Sequence, residues 1–138
     1  MRDRMTQPTQ EADLDVRRIH LPEGLVGFPA TEYEVRAVAT GLFDLAPVGD
    51  AGPSFVTADA AAFFPDYHPE IDDATADRLH LSTAEDALVL VVVTIAEDIT
   101  RSTANLLAPL VVNTRTSDAE QVVLTGQDLP LRAPLVAA

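Results

Sequence analysis

The apolar positions of this chain change their spacing several times, and each change marks an element. Between residues 32 and 39, Tyr33, Val35, Ala37 and Ala39 alternate with Glu32, Glu34, Arg36 and Val38. Period two turns one face of a strand toward a core and the other toward solvent. Upstream, Val16, Ile19 and Leu21 are the apolar members of a first strand. The stretch LPEGLVGFPA, residues 21–30, has the prolines and glycines of a turn-rich connection, yet its Leu25, Val26 and Phe28 are too apolar for a plain solvent loop. Gly41 closes the second strand, and Leu42, Phe43 and Leu45 open a third. After the turn cluster VGDAGP at 48–53, Ser54–Ala58 is a further strand, and the DAAAF that follows suits either a strand or a short helix.

Pro65 and Pro69 exclude a regular element through residues 64–70. Asp72 or Asp73 then supplies an N-cap for a helix running to about Leu79. ALVLVVVTIA, residues 87–96, is apolar on both faces and rich in valine, which predicts a central strand. A polar turn at 97–102 leads into TANLLAPLVVN, residues 103–113, a second strand-like run interrupted by Pro109. Proline cannot donate to a sheet ladder, so this strand either lies at an edge or bulges there. Residues 105–114 and 120–125, around a turn at 116–118, read as a hairpin. Some seven short strands with one or two short helices predict an all-β protein. We expect a small antiparallel β-barrel-like single domain over residues 13–135, with a flexible N-terminus at 1–12 and a tail at 136–138.

Composition narrows the function. With 138 residues, 47% of them apolar, the chain is long enough to bury one core. It has no cysteine, which excludes disulfides and thiolate chemistry. The longest apolar run, Ala87–Val93, falls far short of the ~20 residues of a membrane helix. The opening MRDRMTQPTQEAD has no apolar stretch of a secretory signal. A cytoplasmic protein that does not enter membranes is expected. The net charge is −13, and the charges up to His20 cancel, so the excess belongs to the folded part. Such a domain repels phosphates and suits a basic protein partner better than nucleic acid.

Candidate chemistry is sparse. Asp66, His68, Glu70 and Asp72 alternate, and on a strand they would share a face able to hold a divalent cation. Pro65 and Pro69 break that strand, and no glycine offers the sharp turn of a calcium loop, which favours a solvated acidic loop. No serine sits in a nucleophile elbow, and no histidine pair has metal-site spacing. We therefore expect no catalytic residue, no metal and no cofactor. From Asp66 to Asp86 there are seven acids against Arg78 alone, with Phe64, Tyr67 and Ile71 among them. Aromatic anchors beside acids suit a protein-binding face. Alternatively Phe63, Phe64 and Tyr67 pack beneath the loop as a satellite core.

Four blocks, LPEGLVGFPATEYEV, FFPDYHPEIDD, EDALVLVVVTI and TANLLAPLVVNTRTSDAEQVVL, stand in an order and spacing that resembles the flagellar assembly factor FliW family, over about residues 14–135. The resemblance implies a β-barrel-like fold without enzymatic activity. It implies binding to CsrA, an RNA-binding translational regulator, whose repression of flagellin mRNA is thereby relieved. It also implies binding to flagellin in competition, by a protein that is a monomer when free. The residues expected to meet a partner are Phe64, Pro65, Asp66, Tyr67, Glu70, Asp72 and Asp73, together with an edge at Asn105, Leu106, Leu107 and Pro109. The alternatives are a flagellin-specific chaperone without a translational role, and a metal-binding or enzymatic barrel using Asp66, His68 and Glu70.

Overall fold

In the computed structural model, which describes residues 16–50 and 52–135, the valine-rich run becomes the strand that all others depend on. The expectations for residues 1–12 and 136–138 lie outside the described residues. The strands are β1 (Val16–His20), β2 (Glu32–Ala39), β3 (Leu42–Pro47), β4 (Phe55–Asp59), β5 (Ala87–Thr94), β6 (Thr103–Ala104), β7 (Leu110–Asn113), β8 (Ala119–Gln121) and β9 (Ala133–Pro134). Two short helices, α1 (Ala60–Phe63) and α2 (Asp73–Arg78), fill the connection between β4 and β5. β6 and β9 are two residues each, too short to show a period in the sequence.

β1 to β5 pair in sequence order, all antiparallel. The free edge of β5 is then shared. Its first half pairs with β7, from Ala87↔Asn113 to Leu90↔Leu110, and its end pairs with β6 at Val93↔Ala104 and Thr94↔Thr103. β8 continues the sheet beyond β7, and β9 continues it beyond β6. The sheet is thus forked, and β5 stands at the fork.

That position explains why β5 is apolar on both faces. Leu88 and Leu90 join a first core with Ile19, Leu21, Tyr33, Val35, Leu45, Leu110 and Val112. Val89, Val91 and Val93 turn the other way, into a second core with Ala58, Ala60, Ala104, Leu106, Ala133 and Leu135. Fully burying a leucine or valine side chain stabilises by about 1.5–3 kcal/mol, so a strand that serves two cores concentrates stability.

Around the first core the sheet curls until its ends meet at one point. His20 N–H donates to the Ser117 carbonyl at 2.9 Å, and His20 and Asp118 form a single parallel bridge. Arg17 reinforces the contact by donating from Nε to Ser117 Oγ at 2.9 Å and from its guanidinium to the Thr114 carbonyl. One bridge is not a ladder, so the sheet is barrel-like without being closed.

The helix starts follow local rules. Asp72, not Asp73, is the N-cap of α2, and its carboxylate accepts from Thr75 N–H at 2.8 Å. Asp59 caps α1 by accepting from Ala61 N–H at 3.0 Å, which settles DAAAF as helix.

Candidate protein-docking site

Two segments anticipated for partner contact, Phe64–Asp73 and Asn105–Pro109, lie far apart in sequence and come together in space. Pro65 and Pro69 keep the first segment irregular from Phe64 to Asp72. Phe63, Phe64 and Tyr67 are half-buried against the second core, which is the satellite packing considered above. Tyr67 Oη donates to the Leu106 carbonyl at 2.6 Å and so fastens one segment to the other. Burial pushes the Tyr67 phenol up to about 12, which keeps it a neutral donor across the physiological range. Beside this contact, Phe63, Phe64, Pro65, Tyr67, Leu106 and Leu129 border a depression of 390 Å³.

Behind the loop, the Gln127 side chain clasps the backbone of Glu70. Its Oε1 accepts from Glu70 N–H and its Nε2 donates to the Glu70 carbonyl, both at 3.3 Å. Pro65, Asp66, His68, Glu70, Asp72 and Asp73 remain exposed. The Asp72 carboxyl is held below its ordinary value by hydrogen bonds from Thr75 first, and by nearby Arg78 to a lesser degree. Among the described residues no three such side chains are grouped to hold a metal ion. Asp66, His68 and Glu70 alternate in sequence, but without a strand the alternation does not put them on one face.

The edge expected at Asn105–Pro109 is replaced by a bulge. Leu90 pairs with Leu110 and Val93 with Ala104, so residues 105–109 stand opposite only Val91 and Val92. That is three residues more than a regular ladder holds. Asn105 shapes the excess: its Oδ1 accepts from Leu107 N–H at 2.9 Å and from Ala108 N–H at 3.1 Å. The bulge is covered rather than bare, because Leu106 N–H donates to the Pro130 carbonyl and the Leu107 and Pro109 carbonyls accept from Leu124 and Val122. Leu106 and Pro109 are therefore buried, and Asn105 and Leu107 half-buried. Of the four residues expected at a partner, Asn105 and Leu107 thus keep part of their surface, and Leu106 and Pro109 lie beneath it.

Several residues outside these segments carry the geometry. Arg78, at the end of α2, donates to both carboxylate oxygens of Glu120 at 3.0 and 2.8 Å, a bidentate pair that holds its proton more tightly. On the side of α2 and β8 a groove of 690 Å³ opens, with Leu25, Val26 and Leu79 on its apolar wall. Val26 is 67% exposed. The one sequence signal for this groove was the excess of apolar residues in the 21–30 turn.

The sequence model of a family described as FliW protein matches residues 4–135. A flagellar assembly factor FliW from Treponema pallidum is 35% identical over 121 residues, covering 86% of this chain and 81% of the relative. Another from Anoxybacillus flavithermus is 34% identical over 105 residues, covering 72% of each. A third from Bacillus licheniformis is 39% identical over 82 residues, which span 57% of that relative. A crystal structure of a flagellar assembly factor FliW superposes with a TM-score of 0.82 at 26% identity, over 91% of this chain and 89% of that one.

Proposed function

The chain belongs to the FliW family of flagellar assembly factors, and from that premise we propose that it docks the translational regulator CsrA and relieves the repression of flagellin mRNA. Flagellin competes for the protein, so flagellin synthesis follows assembly. In this reading the protein works in the cytoplasm, as a monomer when free and without enzymatic activity. Its working domain is residues 13–135.

The observation that carries this reading is the pairing of acids with a fastened aromatic loop. Asp66, Glu70, Asp72 and Asp73 stand exposed around Phe64 and Tyr67, whose position is fixed by the bond to Leu106. A regulator that grips RNA presents basic surface. Acids draw that surface in over the range of a Debye length, and the fixed apolar groups supply the contact once water has left. A protein of charge −13 docked beside an RNA site lowers its positive potential even without covering it.

Calorimetric titration with CsrA from the same organism tests this. Binding should weaken as salt is raised, and flagellin should displace CsrA. The combined substitutions Asp66→Asn, Glu70→Gln and Asp73→Asn should flatten the salt dependence, and Leu107→Asp should weaken binding with the melting temperature unchanged. No binding to CsrA at either low or moderate salt, with flagellin bound normally, would move the protein to the chaperone reading.

A further inference from the structure

The second core leaves part of the central strand uncovered. Along that face of β5, Val91 and Val93 are buried, while Ala87 and Val89 keep part of their surface. Over them, between the loop at 64–73, α2 and the chain that follows α2, lies a pocket of 470 Å³. Its floor is Ala87 and Val89, and its walls are Tyr67 and Ile71 from the loop, Ala76 from α2 and Leu81 beyond it. All six are half-buried, packed on one side and open to the pocket on the other.

The sequence leaves this space empty and the fold keeps it so. Alanine stands at positions 76, 84 and 87 of the lining, where a larger side chain would fill it. Hydrogen bonds hold the walls apart. Tyr67 Oη is fastened to the Leu106 carbonyl at 2.6 Å, and Gln127 clasps the Glu70 backbone. Leu81 N–H donates to the Ala76 carbonyl at 2.9 Å, and Asn113 Nδ2 donates to the Leu79 carbonyl at 2.7 Å. A pocket fixed in this way costs an incoming group little reorganisation.

The charge around it has one sign. Asp66, Glu70, Asp72, Asp73, Asp77 and Glu85 are exposed, and each lies within two residues of a side chain that lines the pocket. Arg78, the one arginine from residue 66 to residue 86, is already held by both carboxylate oxygens of Glu120. We propose that the pocket takes one large apolar side chain from a basic segment of a partner protein, whose flanking lysines or arginines meet these acids. A second copy of this chain is a poor occupant, because two bodies of charge −13 repel. The inference goes beyond the function proposed above, since it fixes the chemistry of the docked segment and holds for any basic partner; titration with CsrA tests that function separately.

The probe is a pentapeptide with one phenylalanine between two pairs of lysines, and its control carries alanine in place of the phenylalanine. Titrated into the isotope-labelled full chain, the first should shift the amide resonances of Ala76, Ala87 and Val89, and the control should bind roughly tenfold more weakly. Ala76→Leu fills the pocket from α2 and adds apolar burial over Val89, so it should keep or raise the melting temperature and abolish the advantage of phenylalanine. Ala84→Leu, placed on the exposed rim, should do the same by a second route. Equal affinity for the two peptides would reduce the binding to general acidity and overturn the proposal. So would a phenylalanine advantage that survives both substitutions, or lining amides that stay still at millimolar peptide. Shifts of those amides on raising the protein concentration alone would make a second copy the occupant and overturn it as well.

Discussion

Asn113 ends an apolar strand with a fully buried amide whose hydrogen-bonding capacity is all used. Its Nδ2 donates to the carbonyls of Leu79 at 2.7 Å and His80 at 3.2 Å, and its Oδ1 accepts from the N–H groups of Arg115 and Thr116 at 2.8 and 3.3 Å. It thereby ties the end of α2 to the β7–β8 turn. Asn113→Leu would strand buried polar groups on both sides and should destabilise by on the order of 3 kcal/mol, read by urea denaturation. In the sequence this residue marks only the end of a strand, because its partners come from a distant loop. Tyr67 gives a second prediction. Burial raises the phenol pKa from 10.0 to about 12, so the fold favours the neutral form. That contribution is whole below pH 10 and is lost as pH rises toward 12. Burial also raises Tyr33, the other tyrosine, so the folded chain should show less tyrosinate absorbance than free tyrosine at the pH where free tyrosine is half ionised. Tyr67→Phe should cost about 1 kcal/mol through the lost bond to Leu106.

At the scale of elements, what could be read depended on length and period. β2 and β5 are eight residues each and were legible, although the alternation of β2 is matched by burial only at Tyr33 and Val35, Ala37 and Ala39 being exposed where the register shifts. β6 and β9 form because the rest of the sheet offers them an edge, and two residues cannot announce that. Pro109 signalled an irregularity, but its form depends on Val122, Leu124 and Pro130, which cover the bulge from elsewhere in the chain. The candidate site was legible in the same partial way. Its loop and its bulge could each be picked out, while the Tyr67–Leu106 bond that joins them, and the burial of Leu106 and Pro109, are products of the fold. The Asn105 side chain is the element-level control. Asn105→Ala removes two hydrogen bonds that shape the bulge and should cost about 1 kcal/mol for each. Amide exchange should speed up at Leu107 and Ala108 before it does in β7.

Across the whole molecule, acidity and architecture pull in different directions. Nearly all the negative charge is carried by one domain, and its self-repulsion opposes compaction. Added salt screens that repulsion, so the melting temperature should rise between low and physiological ionic strength, measured by differential scanning calorimetry. β5 answers the repulsion by serving both cores, and its central amides should be among the slowest to exchange.

The fork at β5 also imposes an order on events as the chain leaves the ribosome. Every buried residue of the first core has been made once Ala119 is out. The second core then still lacks Ala133 and Leu135, and β6 still waits for β9. Phe63, Phe64 and Tyr67 rest on that unfinished core. The half of the protein that carries the loop at 64–73 is thus completed last, and a nascent chain has all of its first core before it can finish the core on which that loop rests.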